Sequence, residues 1–275
     1  MECKEWMHTS RLTYIDLCKL ACENDGIFQK LKSMKEYSMV EKPTLSYKIC
    51  GEWLLNVYIK NYNQYLNLLE IGILNDTYLQ PMKFDYEYIL KNKIKLSTYK
   101  LSFCCISYVI KALNILNHIK VLNIDNLNIV EIGGGYGGQA FILLKLAKKF
   151  NINIKSYSIF DLKYPSLLQS KYLNFTNITE KYNVKSYYNF EIEKNIINNF
   201  SFVISNYALS EISTKIQDDY FNKILYNVKH GFLLWNFLNK EPLNKKLSIN
   251  NYEKITFERE ECNPDIKKNS LEIKF

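Results

Sequence analysis

Five of the nine glycines in this 275-residue chain, Gly133, Gly134, Gly135, Gly137 and Gly138, fall within six consecutive positions, and Glu131 stands two residues before the first. Glycine weakens strands and helices, so such clustering marks a backbone that must bend sharply and admit something close to it. The stretch Val130-Glu131-Ile132-Gly133-Gly134-Gly135-Tyr136-Gly137-Gly138-Gln139 follows the apolar run Leu127-Asn128-Ile129. It precedes Ala140 to Ala147, where Phe141, Leu144 and Ala147 have helical spacing. Strand, glycine-rich turn and helix open a nucleotide-binding βαβ unit.

Two ligand classes use this geometry. Gly133, Gly135 and Gly138 fit the dinucleotide pattern Gly-x-Gly-x-x-Gly. Glu131 discriminates: a carboxylate at the end of the first strand repels a pyrophosphate but favours S-adenosylmethionine (SAM), whose ammonium and sulfonium are cationic. The sequence therefore predicts a SAM-dependent methyltransferase, with Glu131, Gly133, Gly135, Tyr136 and Gly137 as candidate cofactor contacts.

Two further positions extend that site. Asp161 closes the second apolar run, 23 residues beyond Gly138. An acid there holds ribose hydroxyls in both ligand classes. Phe200 to Ser205 reads as a fourth strand, ending in Asn206-Tyr207-Ala208-Leu209-Ser210-Glu211. Ligands of open parallel sheets sit at the carboxyl ends of strands, so Asn206 is a candidate cofactor contact and Tyr207 a candidate substrate-positioning residue. A neutral hydroxyl acceptor needs a base. Glu211 is the candidate, and a first-turn helix acid stabilised by the helix dipole is the other role that fits it. His118 and His230 precede strands, at the wrong end for such a site. Asp161, Glu211 and Asp218-Asp219 form no recognisable ligand set, so no metal is expected.

The elements that must position these groups follow from periodicity. Thr13 to Lys32 and Trp53 to Ile73 read as helices, with Asn75-Asp76 and Pro81 marking a loop. Leu96-Ser97-Thr98 reads as a helix start, with Ser97 or Thr98 as cap and the helix running to about Ile119. Later come strands at Asn153 to Asp161, Val184 to Tyr188 and Gly231 to Asn236, helices at Ser166 to Leu173 and Thr214 to Val228, and tail strands at Tyr252 to Phe257 and Leu271 to Phe275. The predicted fold class is α/β: a Rossmann-like, doubly wound, mostly parallel sheet over residues 121–275. Residues 1–120 read as a helical lobe covering the site or making oligomer contacts.

Bulk composition bounds the partners. The net charge is +8, but the lysines are dispersed and cluster only in pairs, as at Lys148-Lys149. That argues against a nucleic-acid surface. Seven cysteines at irregular spacing, with no companion ligand pair, read as reduced thiols. No signal core precedes the first helix, and no apolar run approaches bilayer-spanning length. A cytoplasmic protein without membrane contact is expected. The abundance of Asn, Ile, Lys and Tyr is the signature of an AT-rich genome.

Three blocks together carry a resemblance. The glycine stretch through Tyr136-Gly137-Gly138-Gln139, then Ser158-Ile159-Phe160-Asp161-Leu162, then Val203-Ile204-Ser205-Asn206-Tyr207-Ala208-Leu209-Ser210-Glu211 resemble the sugar O-methyltransferase family of class I SAM-dependent enzymes. They span the catalytic half, about residues 95–240. Leu96-Ser97-Thr98 faintly matches an element ahead of that family's domain, without its proline and arginine, and the tail near Glu261-Cys262-Asn263-Pro264 diverges. The resemblance implies methyl transfer to a hydroxyl of a sugar or sugar nucleotide, in glycan biosynthesis.

Overall fold

The computed structural model describes residues 13–34, 37, 47–90, 93–124, 126–188, 199–236, 256–259 and 270–275. The polypeptide enters through α1 (Tyr14–Glu23), α2 (Asp25–Lys30), α3 (Tyr47–Tyr62) and α4 (Leu69–Asp76). Thr13 starts α1 with a reciprocal capping box: its hydroxyl accepts from Asp16 N, and its own N–H donates to the Asp16 carboxylate. A hairpin follows, β1 (Phe84–Leu90) against β2 (Lys93–Leu101), and then α5 (Phe103–Leu122).

This hairpin corrects the sequence reading. Ser97 and Thr98 pair with Tyr88 and Glu87 in β2 and cap no helix. The run Ile94-Lys95-Leu96 alternates with the period of a strand. The cap of α5 is Ser102, whose hydroxyl accepts from Cys105 N at 3.1 Å. Asp76, at the end of α4, accepts in turn from the Ser102 N–H at 2.8 Å and from its hydroxyl.

Helix α5 also corrects the expectation about apolar runs. Its 20 residues are long and apolar enough to cross a bilayer by length and composition. In the fold it is buried on several faces, with Cys105, Val109, Ala112, Leu113 and Leu116 all fully covered. A helix enclosed by protein must be apolar nearly all round.

The remainder alternates: β3 (Leu127–Ile132), α6 (Gly138–Lys149), β4 (Ile154–Phe160), α7 (Lys163–Phe175), β5 (Val184–Tyr187), β6 (Phe202–Asn206), α8 (Ala208–Glu211), α9 (Thr214–Lys223), β7 (His230–Asn236), β8 (Thr256–Arg259) and β9 (Ser270–Lys274). The sheet order is β5-β4-β3-β6-β7-β9-β8. The five strands from β5 to β7 are parallel, and β9 runs antiparallel between β7 and β8. This is the predicted doubly wound α/β sheet, and its order reverses at β3, between β4 and β6. Helix α7 starts three residues earlier than the Ser166 expected, because Pro165 fits the first turn, where its missing N–H is not needed. Of the predicted tail strand at 252–257, residues 252–255 lie outside the described set, as do His8 and the tail around Glu261.

Strand alternation divides the core into two layers. One gathers Ile129, Tyr157, Ile159 and Ile204 with α5, α6 and the amino-terminal helices; the other gathers Val130, Phe160, Val203 and Trp235 with Phe221 of α9. The first layer is continuous with Leu17, Leu54 and Leu69, so the amino-terminal helices and the sheet share one core.

Candidate functional site

The glycine turn is built by three positive-φ residues, Gly133 (76°), Gly135 (56°) and Gly137 (97°). They do different work. A Cβ on Gly133 would lie 2.0 Å from the Ala208 Cβ, so this glycine lets α8 pack onto the loop. Among the described residues other than its chain neighbours, a Cβ on Gly135 would meet nothing within 4 Å. Gly135 is therefore where the loop opens a cradle that another molecule can enter. Gly133 N donates to Phe160 O at 2.8 Å, and Gly137 N to Gly134 O at 2.9 Å, fixing the turn at the carboxyl ends of β3 and β4.

Asp161 stands beside that cradle. It is half-buried, and it accepts from Leu162 N at 2.8 Å and from Gln169 Nε2 at 2.8 Å. Loss of water pushes its carboxyl up to about 6, against the opposing pull of these bonds and of the Gly134 and Gly135 amides. Gln169 also donates to Gly135 O at 3.0 Å and so ties α7 to the turn. Sequence reasoning missed Gln169, which carries no local signal. Helix α1 reaches this side too: burial raises both Tyr14 and Cys18, and the nearby Asp161 charge adds to each.

Glu131 lies behind the turn, only 1% exposed, and accepts from the Tyr157 hydroxyl at 2.9 Å. Burial pushes its carboxyl up to about 8, and the nearby Asp161 charge adds to that. A group with that value is mostly protonated at neutral pH. Glu131 is thus a buried acid rather than a fixed negative charge.

Tyr136 is fully buried, and its ring sits in an aromatic cluster. It packs edge-on against Tyr172 at 5.0 Å, Tyr108 at 6.0 Å and Tyr37 at 6.2 Å, under the Lys32 ammonium at 4.6 Å. Asn75 Nδ2 donates to its hydroxyl at 3.0 Å. Its side chain fastens the amino-terminal helices to the turn.

The β6–β7 half holds the remaining candidates. Tyr207 has φ 68° and ψ −32°, a strained conformation for a residue with a side chain. The two serines of the block hold this bend. Ser205 Oγ donates to Ile132 O at 3.0 Å and accepts from Leu209 N, while Ser210 Oγ donates to Tyr207 O at 2.6 Å and accepts from Asn236 N. Asn206 Nδ2 reaches Gln139 Oε1 at 3.5 Å, and its buried Oδ1 has no partner among the described residues. Glu211 is half-buried and accepts from Asn236 Nδ2 at 2.8 Å; burial raises its carboxyl above the usual range. Asn236, at the end of β7, gave no signal in the sequence. His230 pairs with Phe202 at the amino end of the strands, and His118 lies by Phe275 O there, as expected.

No family model matches the chain, and no curated protein does. Solved structures do. The citrinin polyketide synthase CMeT domain is 15% identical, covering 55% of this chain and 46% of its own, with a TM-score of 0.41. An uncharacterized protein from Listeria monocytogenes serotype 4b is 17% identical over 60% of this chain and 65% of its own, at 0.40. Magnesium protoporphyrin IX methyltransferase from Synechocystis PCC 6803, with bound SAM, is 10% identical over 62% of this chain and 80% of its own, at 0.42. The chain thus spans less than two thirds of the first two. The fold class rests on the strand order itself: a mostly parallel sheet reversing at β3, with the antiparallel β9 inserted beside β7, is the Rossmann-like arrangement of class I methyltransferases.

Proposed function

We propose that this chain is a SAM-dependent methyltransferase whose acceptor is a hydroxyl of a sugar or sugar nucleotide, in glycan biosynthesis. The observation that carries the reading is the division of the site at the strand-order reversal. An open glycine cradle and a half-buried acid lie on the β3–β4 side, and a candidate base beside a strained turn lies on the β6–β7 side. The unpaired Asn206 Oδ1 adds an acceptor suited to a donor group on a bound molecule.

Asp161 would hold the ribose hydroxyls, with the Gly135 backbone against the nucleoside. When bound, SAM supplies a methyl group on a sulfonium, activated for in-line displacement. Glu211 would take the proton of the attacking hydroxyl as the oxygen–carbon bond forms and the carbon–sulfur bond breaks. A base whose affinity for protons is raised toward neutrality suits that task. Alignment of the two reactants contributes several kcal/mol more. The amino-terminal helices would cover the site, since α1 packs on α7, where Lys171 Nζ donates to Ala21 O and Cys22 O at 3.0 Å each.

A dinucleotide enzyme is the second reading, favoured by one observation: a neutral Glu131 does not repel a pyrophosphate. Calorimetry with SAM and with NAD decides between them. Binding of SAM, weakened about tenfold or more by Asp161→Ala, is expected; NAD binding without SAM binding would overturn the proposal. Incubating labelled SAM with a panel of nucleotide sugars then tests the acceptor.

A further inference from the structure

Gln169 is completely buried in α7, on the inward side that also carries Leu168, Tyr172 and Leu173. Such a position is normally apolar, because a buried amide must find a partner for each polar atom or lose stability. Gln169 does not find them all. Its Nε2 donates to Gly135 O at 3.0 Å and to Asp161 Oδ2 at 2.8 Å, while its buried Oε1 has no partner among the described residues. Turning the amide over would set Oε1 against two acceptors, so the neighbours fix its orientation. Ser166, one turn earlier on the same side, is by contrast satisfied: its hydroxyl donates to Tyr187 O at 2.9 Å. An apolar side chain at 169 would leave no oxygen stranded. What it could not do is supply those two hydrogens.

The glycine turn is shaped around this amide. A Cβ on Gly134 would lie 2.5 Å from Ile159 Cγ2 and 3.2 Å from Gln169 Nε2, so a larger residue there would press on both the strand and the amide. One side chain thus fixes the open Gly135 and the acid beside it. Its bond also favours the ionised form of a carboxyl that burial pushes up to about 6, and only the ionised form is free to accept from both hydroxyls of a ribose. We infer that Gln169 is a positioning residue of the cofactor site, holding the Asp161 carboxylate against the glycine turn so that it meets the hydroxyls of a bound ribose. The inference rests on the ribose role proposed for Asp161 within the methyltransferase reading.

Calorimetry on the full chain tests this with SAM and its 2′,3′-dideoxy analogue, which lacks the ribose hydroxyls, against the wild type, Gln169→Met and Gln169→Glu. The wild type should prefer SAM over the analogue about tenfold or more. Gln169→Met should bind SAM about tenfold more weakly and the analogue within about twofold of the wild type, because only the hydroxyls lose a positioned partner. Gln169→Glu has the same shape but sets a second carboxylate against Asp161, and should lose the same preference. Variants that weaken SAM and the analogue alike, or neither, overturn the inference, since Gln169 then serves only the shape of the turn. Failure of both variants to fold overturns it too, because the residue would then belong to the fold rather than to the site. SAM and its analogue bound equally by the wild type remove the ribose role of Asp161, and the inference with it, but leave methyl transfer standing. A wild type that binds NAD and not SAM sinks the methyltransferase reading; the inference then stands if NAD shows the same pattern against an analogue without its adenosine ribose hydroxyls, and falls if it does not. Binding of neither cofactor sinks both.

Discussion

The Tyr157 hydroxyl donates to Glu131 Oε2 at 2.9 Å, joining two buried side chains on neighbouring parallel strands directly behind the glycine turn. One hydrogen bond offsets only part of what the carboxylate loses by leaving water, so the folded protein holds the proton up to about pH 8.

Stability should therefore fall with pH. Glu131 ordinarily titrates near 4.5, and in the fold near 8. Between those values the unfolded chain has lost the proton and the folded one keeps it, so rising pH favours unfolding until it passes the folded value. Asp161 contributes in the same direction but only up to about 6. Urea unfolding midpoints should drop between pH 6.5 and 8, and Glu131→Gln, which still accepts from Tyr157, should flatten that slope. An equal slope in the variant would remove Glu131 as its source.

The same proton couples to the cofactor. A cation near Glu131 lowers its affinity for protons, so SAM binding should tighten from pH 6.5 to 8 and release protons. Calorimetry in buffers of different ionisation enthalpy reads that release directly. It should vanish in Glu131→Gln.

Two glycines of the turn should answer differently to alanine. Gly133→Ala sets a methyl 2.0 Å from the Ala208 Cβ at a positive φ, and about 3 kcal/mol of stability should be lost. Gly135→Ala meets no atom within 4 Å and should cost only about 1–2 kcal/mol for its backbone conformation. Its effect should appear in SAM affinity instead, because the methyl enters the cradle. Denaturation and calorimetry on the pair test the assignment of one glycine to packing and the other to the ligand.

Asp76 should matter although it is remote from the chemistry. It accepts both the N–H and the hydroxyl of Ser102, which in turn caps α5. Asp76→Ala leaves these buried donors unmet and should destabilise the fold by about 2 kcal/mol.

Glu211→Gln keeps an oxygen for Asn236 but cannot take a proton. Turnover should fall about a hundredfold or more, with SAM affinity unchanged. Undiminished turnover would strike Glu211 from the mechanism and leave it as an acid anchoring α8 to β7.

How far the sequence could be read depends on how local each signal is. The glycine turn, the strand before it, Asp161 and the Asn206 to Glu211 block were legible because strand ends and tight turns require particular residues at short spacing. The start of α5 was not. Ser97, Thr98 and Ser102 are all acceptable caps locally, and the choice fell to Asp76 and to pairing with β1, both distant in sequence.

The sequence by itself determined the doubly wound sheet and the place of the glycine turn at the end of β3, since periodicity and glycine placement are properties of neighbouring residues. Only the tertiary structure decided what the side chains around it are chemically. Burial beside Tyr157 turned Glu131 from a fixed charge into a titrating acid. An aromatic cluster took up the Tyr136 side chain, and the packing of α5 along β6 set His118 against Phe202 at the strand's start. Solvation and charge pairing depend on what surrounds a side chain in space, and that is set by contacts between residues far apart along the chain.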